Sequence, residues 1–211
     1  MRAIFTNNPI REFYLKQTNI DTDKLYLIVD CNPELEVLHV PAWKLSMNTE
    51  IAFSKIAELT HLTYLNLQGY SKIVDAHMES ITKSNPRISK LIIDECVELT
   101  AQTTKMLAKH CTNLRHLSMN KCYKMTDEIF PSLAQLPLNY LSMTLAKITD
   151  VGMLLYAERA VYTHALHNLC IRRTTISMPV IEVLFKTFRN LSNIARQIKK
   201  GEFIISRVFV V

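Results

Sequence analysis

The chain has 211 residues, a formal net charge of +6, 48% hydrophobic residues and 21% charged ones, which excludes a disordered chain and fits one domain or one array of short units. Three glycines and seven prolines leave no room for a flexible linker, a phosphate loop or a dinucleotide fingerprint, and no apolar run approaches the ~20 residues that span a membrane. The basic excess is local: between Arg189 and Val211, Arg189, Arg196, Lys199, Lys200 and Arg207 oppose Glu202 alone. At the other end, Met1–Asn8 lacks the sustained apolar core of a signal peptide, so a cytoplasmic or nuclear protein is expected.

In chain order, one apolar frame, Leu-x-x-Leu-x-Leu, recurs. A worn copy, Ile10/Phe13/Leu15, is followed by Leu35/Leu38/Val40, Leu62/Leu65/Leu67, Ile88/Leu91/Ile93 and Leu114/Leu117/Met119. Leu138/Leu141/Met143, Leu166/Leu169/Ile171 and a decayed Leu191/Ile194 complete the series. First positions lie 25, 27, 26, 26, 24, 28 and 25 residues apart. Each copy reads as a short strand, a turn and a helix. In the fourth full copy the expected strand is 114–120, Met125-Thr126-Asp127 starts the return, and a helix buries Phe130 and Leu133. Thr126 is expected to cap that helix, with Asp127 favourable in its first turn. Ile73-Val74-Asp75, Leu99-Thr100, Ile148-Thr149-Asp150 and Ile176-Ser177 repeat the punctuation. This period and frame indicate an α/β leucine-rich repeat solenoid in which no unit buries its apolar stripe alone. The array is placed at 1–196, about seven repeats with the first and last degenerate. Residues 197–211 are a basic and apolar tail or cap, which breaks the repeat as an extended apolar strand.

The fullest copy is Cys111-x-x-Leu114-x-x-Leu117-x-Met119-x-x-Cys122, followed by Met125-Thr126-Asp127. A second match, Leu62–Ile81, carries Tyr70 in place of the second cysteine, and Trp43, Ala146 and Thr174 fill that slot elsewhere. From roughly Leu35 to Leu184 the signature resembles the cysteine-containing class of leucine-rich repeats. That class is known from F-box/leucine-rich-repeat proteins, the substrate receptors of SCF-type ubiquitin ligases, and from F-box-free relatives of the mitotic-exit-antagonist type. The resemblance implies a horseshoe with a concave parallel sheet and convex helices, and a role in protein recognition for ubiquitin-dependent degradation. No F-box precedes the first strand near Ile10, so a Skp1-type adaptor is expected only for a longer form that has one. Two alternatives stand beside this: a stand-alone scaffold or regulator without a ubiquitin role, and a nucleic-acid or membrane-surface binder acting through the basic tail.

Strand alternation puts the leucine positions inward and the residues between them on the open face. The candidate partner-binding residues there are His39, Tyr64, Asn66, Gln68, Lys90, Asp94, His116, Ser118, Asn120, Tyr140, Ser142, Asn168 and Arg172. Val37, Pro41, Ile92, Thr144 and Cys170 share the row, and Glu12, Tyr14 and Lys16 extend it. A protein partner is expected on this face because tyrosine offers a large contact area with a polar tip. The row is too nearly neutral to grip a phosphate backbone, so neither nucleic acid nor membrane is expected as a partner.

No enzyme activity, cofactor or metal is expected. Cys111 and Cys122 occupy packing slots, and His39 and His116 stand three strands, roughly 14 Å, apart, too far to share one ion. Five cysteines without paired clusters are expected to be reduced thiols, with Cys96 and Cys122 stacked as small hydrophobes.

Overall fold

The structure, a computed structural model, describes residues 9–15, 21–42, 49–198 and 201–206. Expectations placed on Met1–Asn8, Lys16, Trp43, Lys199, Lys200, Arg207 and Phe209–Val211 fall outside those residues. Each copy of the frame folds into one strand. These are β1 (Glu12–Tyr14), β2 (Val37–His39), β3 (Tyr64–Asn66), β4 (Lys90–Ile92), β5 (His116–Ser118), β6 (Tyr140–Ser142), β7 (Asn168–Cys170) and β8 (Asn193–Ile198). The eight run parallel in sequence order, and β9 (Gly201–Ser206) adds to β8 antiparallel as the last strand of the sheet.

Register follows the frame. Phe13, Leu38, Leu65, Leu91, Leu117, Leu141, Leu169 and Ile194 lie opposite one another across seven successive strand pairs, so the worn first copy and the decayed last one both hold their places. From Leu38 to Ile194 these side chains are buried. Burying each leucine stabilises by roughly 1.5–3 kcal/mol, and a slip of one residue would turn the whole column to solvent. Most of the strands span three residues, shorter than the expected 114–120, because the chain turns sharply after each one. The amides past the strand still pair outward: Met119 N donates to Ser142 O at 2.9 Å and Lys121 N to Thr144 O at 2.8 Å.

That sharp turn needs a left-handed residue at one repeat position. Gly69, Glu95, Lys121, Leu145 and Arg173, each four residues past the central leucine, have φ of 84°, 63°, 58°, 61° and 55°. Only the first is glycine, and there a Cβ would sit 2.8 Å from Ala42 O. The other four accept a left-handed cost of about 1–2 kcal/mol each, offset in three of them by an inter-repeat bond. Glu95 N, Lys121 N and Leu145 N donate to Asn120 O, Thr144 O and Arg172 O.

On the other side of the sheet lie α1 (Thr22–Cys31), α2 (Thr49–Ile56), α3 (Asp75–Ser84), α4 (Ala101–His110), α5 (Phe130–Leu133), α6 (Asp150–Arg159) and α7 (Met178–Thr187). No helix among the described residues is long and apolar enough to cross a membrane. The fourth full copy departs from expectation. A 3-10 turn at Asp127–Ile129 precedes a four-residue α5, and Thr126 makes no side-chain cap. Phe130 and Leu133 are nonetheless buried.

The helix-start carboxylates reach into the following repeat instead. Asp75 accepts from Thr100 N and Oγ1 and from Thr103 Oγ1, and Asp127 accepts from Thr149 N at 2.8 Å and Oγ1 at 2.5 Å. Asp150 accepts from Ser177 N at 2.8 Å. Each acid thus satisfies amides that a helix start would leave unpaired and places negative charge at the next helix's N-terminus. Gly152 makes one such approach possible, since a Cβ there would run into the Asp127 carboxylate and the Phe130 ring.

Candidate functional site: the open face of the sheet

Opposite the helices, two rows of side chains run across the strands. The first is Glu12, Val37, Tyr64, Lys90, His116, Tyr140, Asn168 and Asn193, and the second is Tyr14, His39, Asn66, Ile92, Ser118, Ser142, Cys170 and Ala195. Contacts between neighbouring strands, along and across the rows, assemble two aromatic clusters. Tyr14, His39 and Tyr64 pack with ring centroids 5.9–6.5 Å apart. His116 and Tyr140 stack face to face at 4.1 Å with an interplanar angle of 3°. Lys90 lies between the clusters, its Nζ 4.5 Å from the Tyr64 ring centroid, a cation–π contact.

Hydrogen bonds fix the ring positions. Tyr64 OH, 2.9 Å away, and Asn66 Nδ2, 3.1 Å away, both approach Nδ1 of His39. These two contacts hold the His39 ring in one orientation against Tyr64 and Asn66. Burial, then the nearby Lys90 ammonium, hold the His116 imidazole below its ordinary pKa, so it stacks on Tyr140 as a neutral ring at pH 7. The clusters are therefore a fixed aromatic surface beside the Lys90 ammonium. Beyond Tyr140, a shallow depression of about 280 Å³ is lined by Tyr140, Asn168, Cys170, Arg172 and Asn193 among others.

Five of the candidates, though on the open side, turn their polar groups to a neighbouring repeat. Asn66, Ser118 and Ser142 are only 2%, 6% and 1% exposed, although alternation had placed them on the open surface. Asp94 accepts from Ser118 Oγ at 2.7 Å, Asn120 N at 2.8 Å and Asn120 Nδ2 at 3.1 Å. Asn120 Oδ1 in turn accepts from Ser142 Oγ and Thr144 N, each at 2.7 Å. Asn66 Oδ1 likewise accepts from Gln68 N at 2.8 Å. These residues form a polar ladder along the strand ends, satisfying amides that the sharp turns would orphan. The signal was present in the sequence, since Asp94 and Asn120 share one repeat position with a hydroxyl residue two places before Asn120. The candidates left displaying side chains on the sheet are His39, Tyr64, Gln68, Lys90, His116, Tyr140, Asn168 and Arg172, and Tyr14 joins them although the candidate set omitted it.

The cysteines pack as the frame implies, with one addition. Cys96 Sγ donates to Leu67 O at 3.2 Å and Cys122 Sγ to Ile93 O at 3.1 Å, each in the preceding repeat. Burial pushes the Cys122 and Cys111 thiols up to about 12, and Cys96 well above its ordinary value, so none offers a thiolate nucleophile. Cys31 and Cys170 are partly exposed. Native protein treated with an alkylating thiol reagent is accordingly expected to react rapidly at these two positions, and at Cys96, Cys111 and Cys122 only after denaturation. Rapid labelling of the latter three in the native state would contradict the packing.

No family model matches the chain, and neither does any curated protein. Among solved structures, one similar to it is that of the TLR13–ssRNA13 complex, at 20% identity and a TM-score of 0.57 over 93% of this chain. This chain spans 26% of that one. The fold is a leucine-rich repeat solenoid. A second similar structure, the Rad7–Elc1 complex in yeast, matches at 14% identity and a TM-score of 0.45, covering 89% of this chain and 71% of that one.

Proposed function

We propose that this leucine-rich repeat array is a non-enzymatic recognition module that takes a protein partner on the open face of its sheet. The observation that carries the reading is the pair of aromatic clusters joined through Lys90. The core does not require these rings, yet hydrogen bonds and stacking hold them in place before any partner arrives. Rigid tyrosines with two side-chain torsions lose little entropy on binding. Near-neutrality of the rows, with Glu12 and Asp94 against Lys90 and Arg172, favours protein over nucleic acid. The resemblance to SCF-type receptors supports a narrower form, in which the array selects substrates for ubiquitin-dependent degradation and a longer form supplies the adaptor contact. Buried thiols that donate to neighbouring carbonyls suit a reducing compartment, cytoplasm or nucleus.

The test is affinity recovery of partners from cells with the native chain and with a Tyr64→Glu, His116→Glu, Tyr140→Glu variant. The variant is expected to lose the partners while keeping the native circular dichroism and melting profile. Unchanged partners with a folded variant would move recognition to the helices or an edge. Co-recovery of a Skp1-type adaptor with a longer form separates a ligase receptor from a stand-alone regulator.

A further inference from the structure

The spacing irregularity of 24 then 28 residues has a structural counterpart. The four-residue α5 leaves the array short on its helix side, between neighbours of ten residues each. The next connection, residues 160–167, is the longest between a helix and the strand that follows it. It folds back over the deficit: Val161 N donates to Ala134 O at 2.9 Å, while Arg189 N donates to Thr163 O and Asn190 Nδ2 to His164 O. The loop is thus tied to the repeats on both sides of it. Between it and the residues leading into β5 and β6 lies a notch of about 440 Å³, within the size range of ligand sites.

Its lining is chemically one-sided. Arg115, Asn139, Tyr162, His164 and His167 supply the polar groups, and no carboxylate is among the lining residues. The Arg115 guanidinium donates one N–H to Pro137 O at 3.3 Å and enters no ion pair among the described residues. The His167 ring is held in place at Nδ1, which lies 2.7 Å from Ala165 O and 3.0 Å from Asn139 Nδ2. Val161 and Tyr162, at 57% and 46% exposure, give the rim an apolar surface that the fold itself does not bury.

We propose that the notch is a binding site for an oxyanion carried on an apolar body, a phosphate monoester or a carboxylate. Arg115 supplies the fixed charge and a planar fork of donors. Asn139, Tyr162 and the two imidazoles complete the hydrogen-bonding shell, and Val161 with the Tyr162 ring receives the apolar part. The loop is already pinned in place, so little ordering cost accompanies binding. The notch lies at the strand-entry edge and shares no lining residue with the aromatic clusters, so this proposal and the open-face reading fail independently.

Titration of the full chain with phenyl phosphate, followed by calorimetry and by the imidazole resonances of His164 and His167, tests it. Saturable binding that shifts both imidazoles is expected, with phenol, the same ring without the charge, binding at least about tenfold more weakly. Arg115→Gln is expected to weaken phenyl phosphate about ten- to a hundredfold, and His164→Gln to weaken it as well, with circular dichroism unchanged. No saturable binding, equal affinity for phenol, or an unaffected Arg115→Gln each overturns the site. Should Arg115→Gln misfold, the phenol comparison and His164→Gln still decide. A phosphotyrosine peptide binding more tightly than phenyl phosphate at the same notch assigns the anion to a protein partner, and equal affinities assign it to a free ester.

Discussion

Leu117→Ala is expected to lower the free energy of unfolding by about 2–5 kcal/mol, as truncation of a buried leucine does. Leu117 is fully buried at the centre of the column, between Leu91 on one side and Leu141 on the other. Truncation therefore opens a void facing two neighbours at once, whereas the equivalent change at Phe13, in the first described strand and only partly buried, removes contacts on one side. The expected result in urea is a lower midpoint together with a lower or broader transition slope. Loss of the central rung weakens coupling between the two halves of the array as well as stability. An unchanged midpoint would mean that the repeats do not share one core.

Asn120→Ala is expected to cost about 2–4 kcal/mol despite removing little apolar area. The Asn120 side chain donates to Asp94 and accepts from Ser142 Oγ and Thr144 N. Alanine leaves the nearly inaccessible Ser142 hydroxyl, a backbone amide and one carboxylate oxygen without those partners, and unsatisfied buried groups are costly. Asn120→Asp separates shape from polarity. It keeps the acceptor for Thr144 N but sets a second carboxylate against Asp94, so it is expected to destabilise at neutral pH and to recover part of the loss in acid. Thermal melts of the three proteins across pH check this; equal stability of Asn120→Ala and the native chain would show the ladder to be dispensable.

The fold was readable because apolar periodicity reports burial directly. Even Phe13 and Ile194, in copies where the frame is worn, lie in register with the leucines between them. The open face was readable only in part. Alternation assigns a side of the sheet, but Ser118 and Ser142 are small enough to sink between taller neighbours, and Asp94 and Asn120 lie past the three-residue strands, where the turn directs them to backbone amides. The aromatic clusters depend on neighbours across the strands, Tyr64 with His39 on the diagonal and with Lys90 directly opposite, and so on register that a list of repeat positions does not contain. The expected cap at Thr126 is absent because the chain there enters a 3-10 turn instead of an α-helix; Thr100, bonded by Asp75 from the preceding repeat, still caps its own helix at Gln102 N. The notch had a signal, the 24- and 28-residue intervals, which frame counting averages away.

The side-chain bonds from one repeat to the next also bear on how the molecule carries load. Asp75 to Thr100, Asp94 to Asn120, Asn120 to Thr144, Asp127 to Thr149 and Asp150 to Ser177 all act between adjacent units, so tension along the array is borne in series. Pulled from its two ends, the protein would shed units from the outside inward. Each repeat of about 26 residues releases on the order of 90 Å of extended chain. The block spanning Asp94 to Thr144, tied by the densest set of these links, would be the last to part.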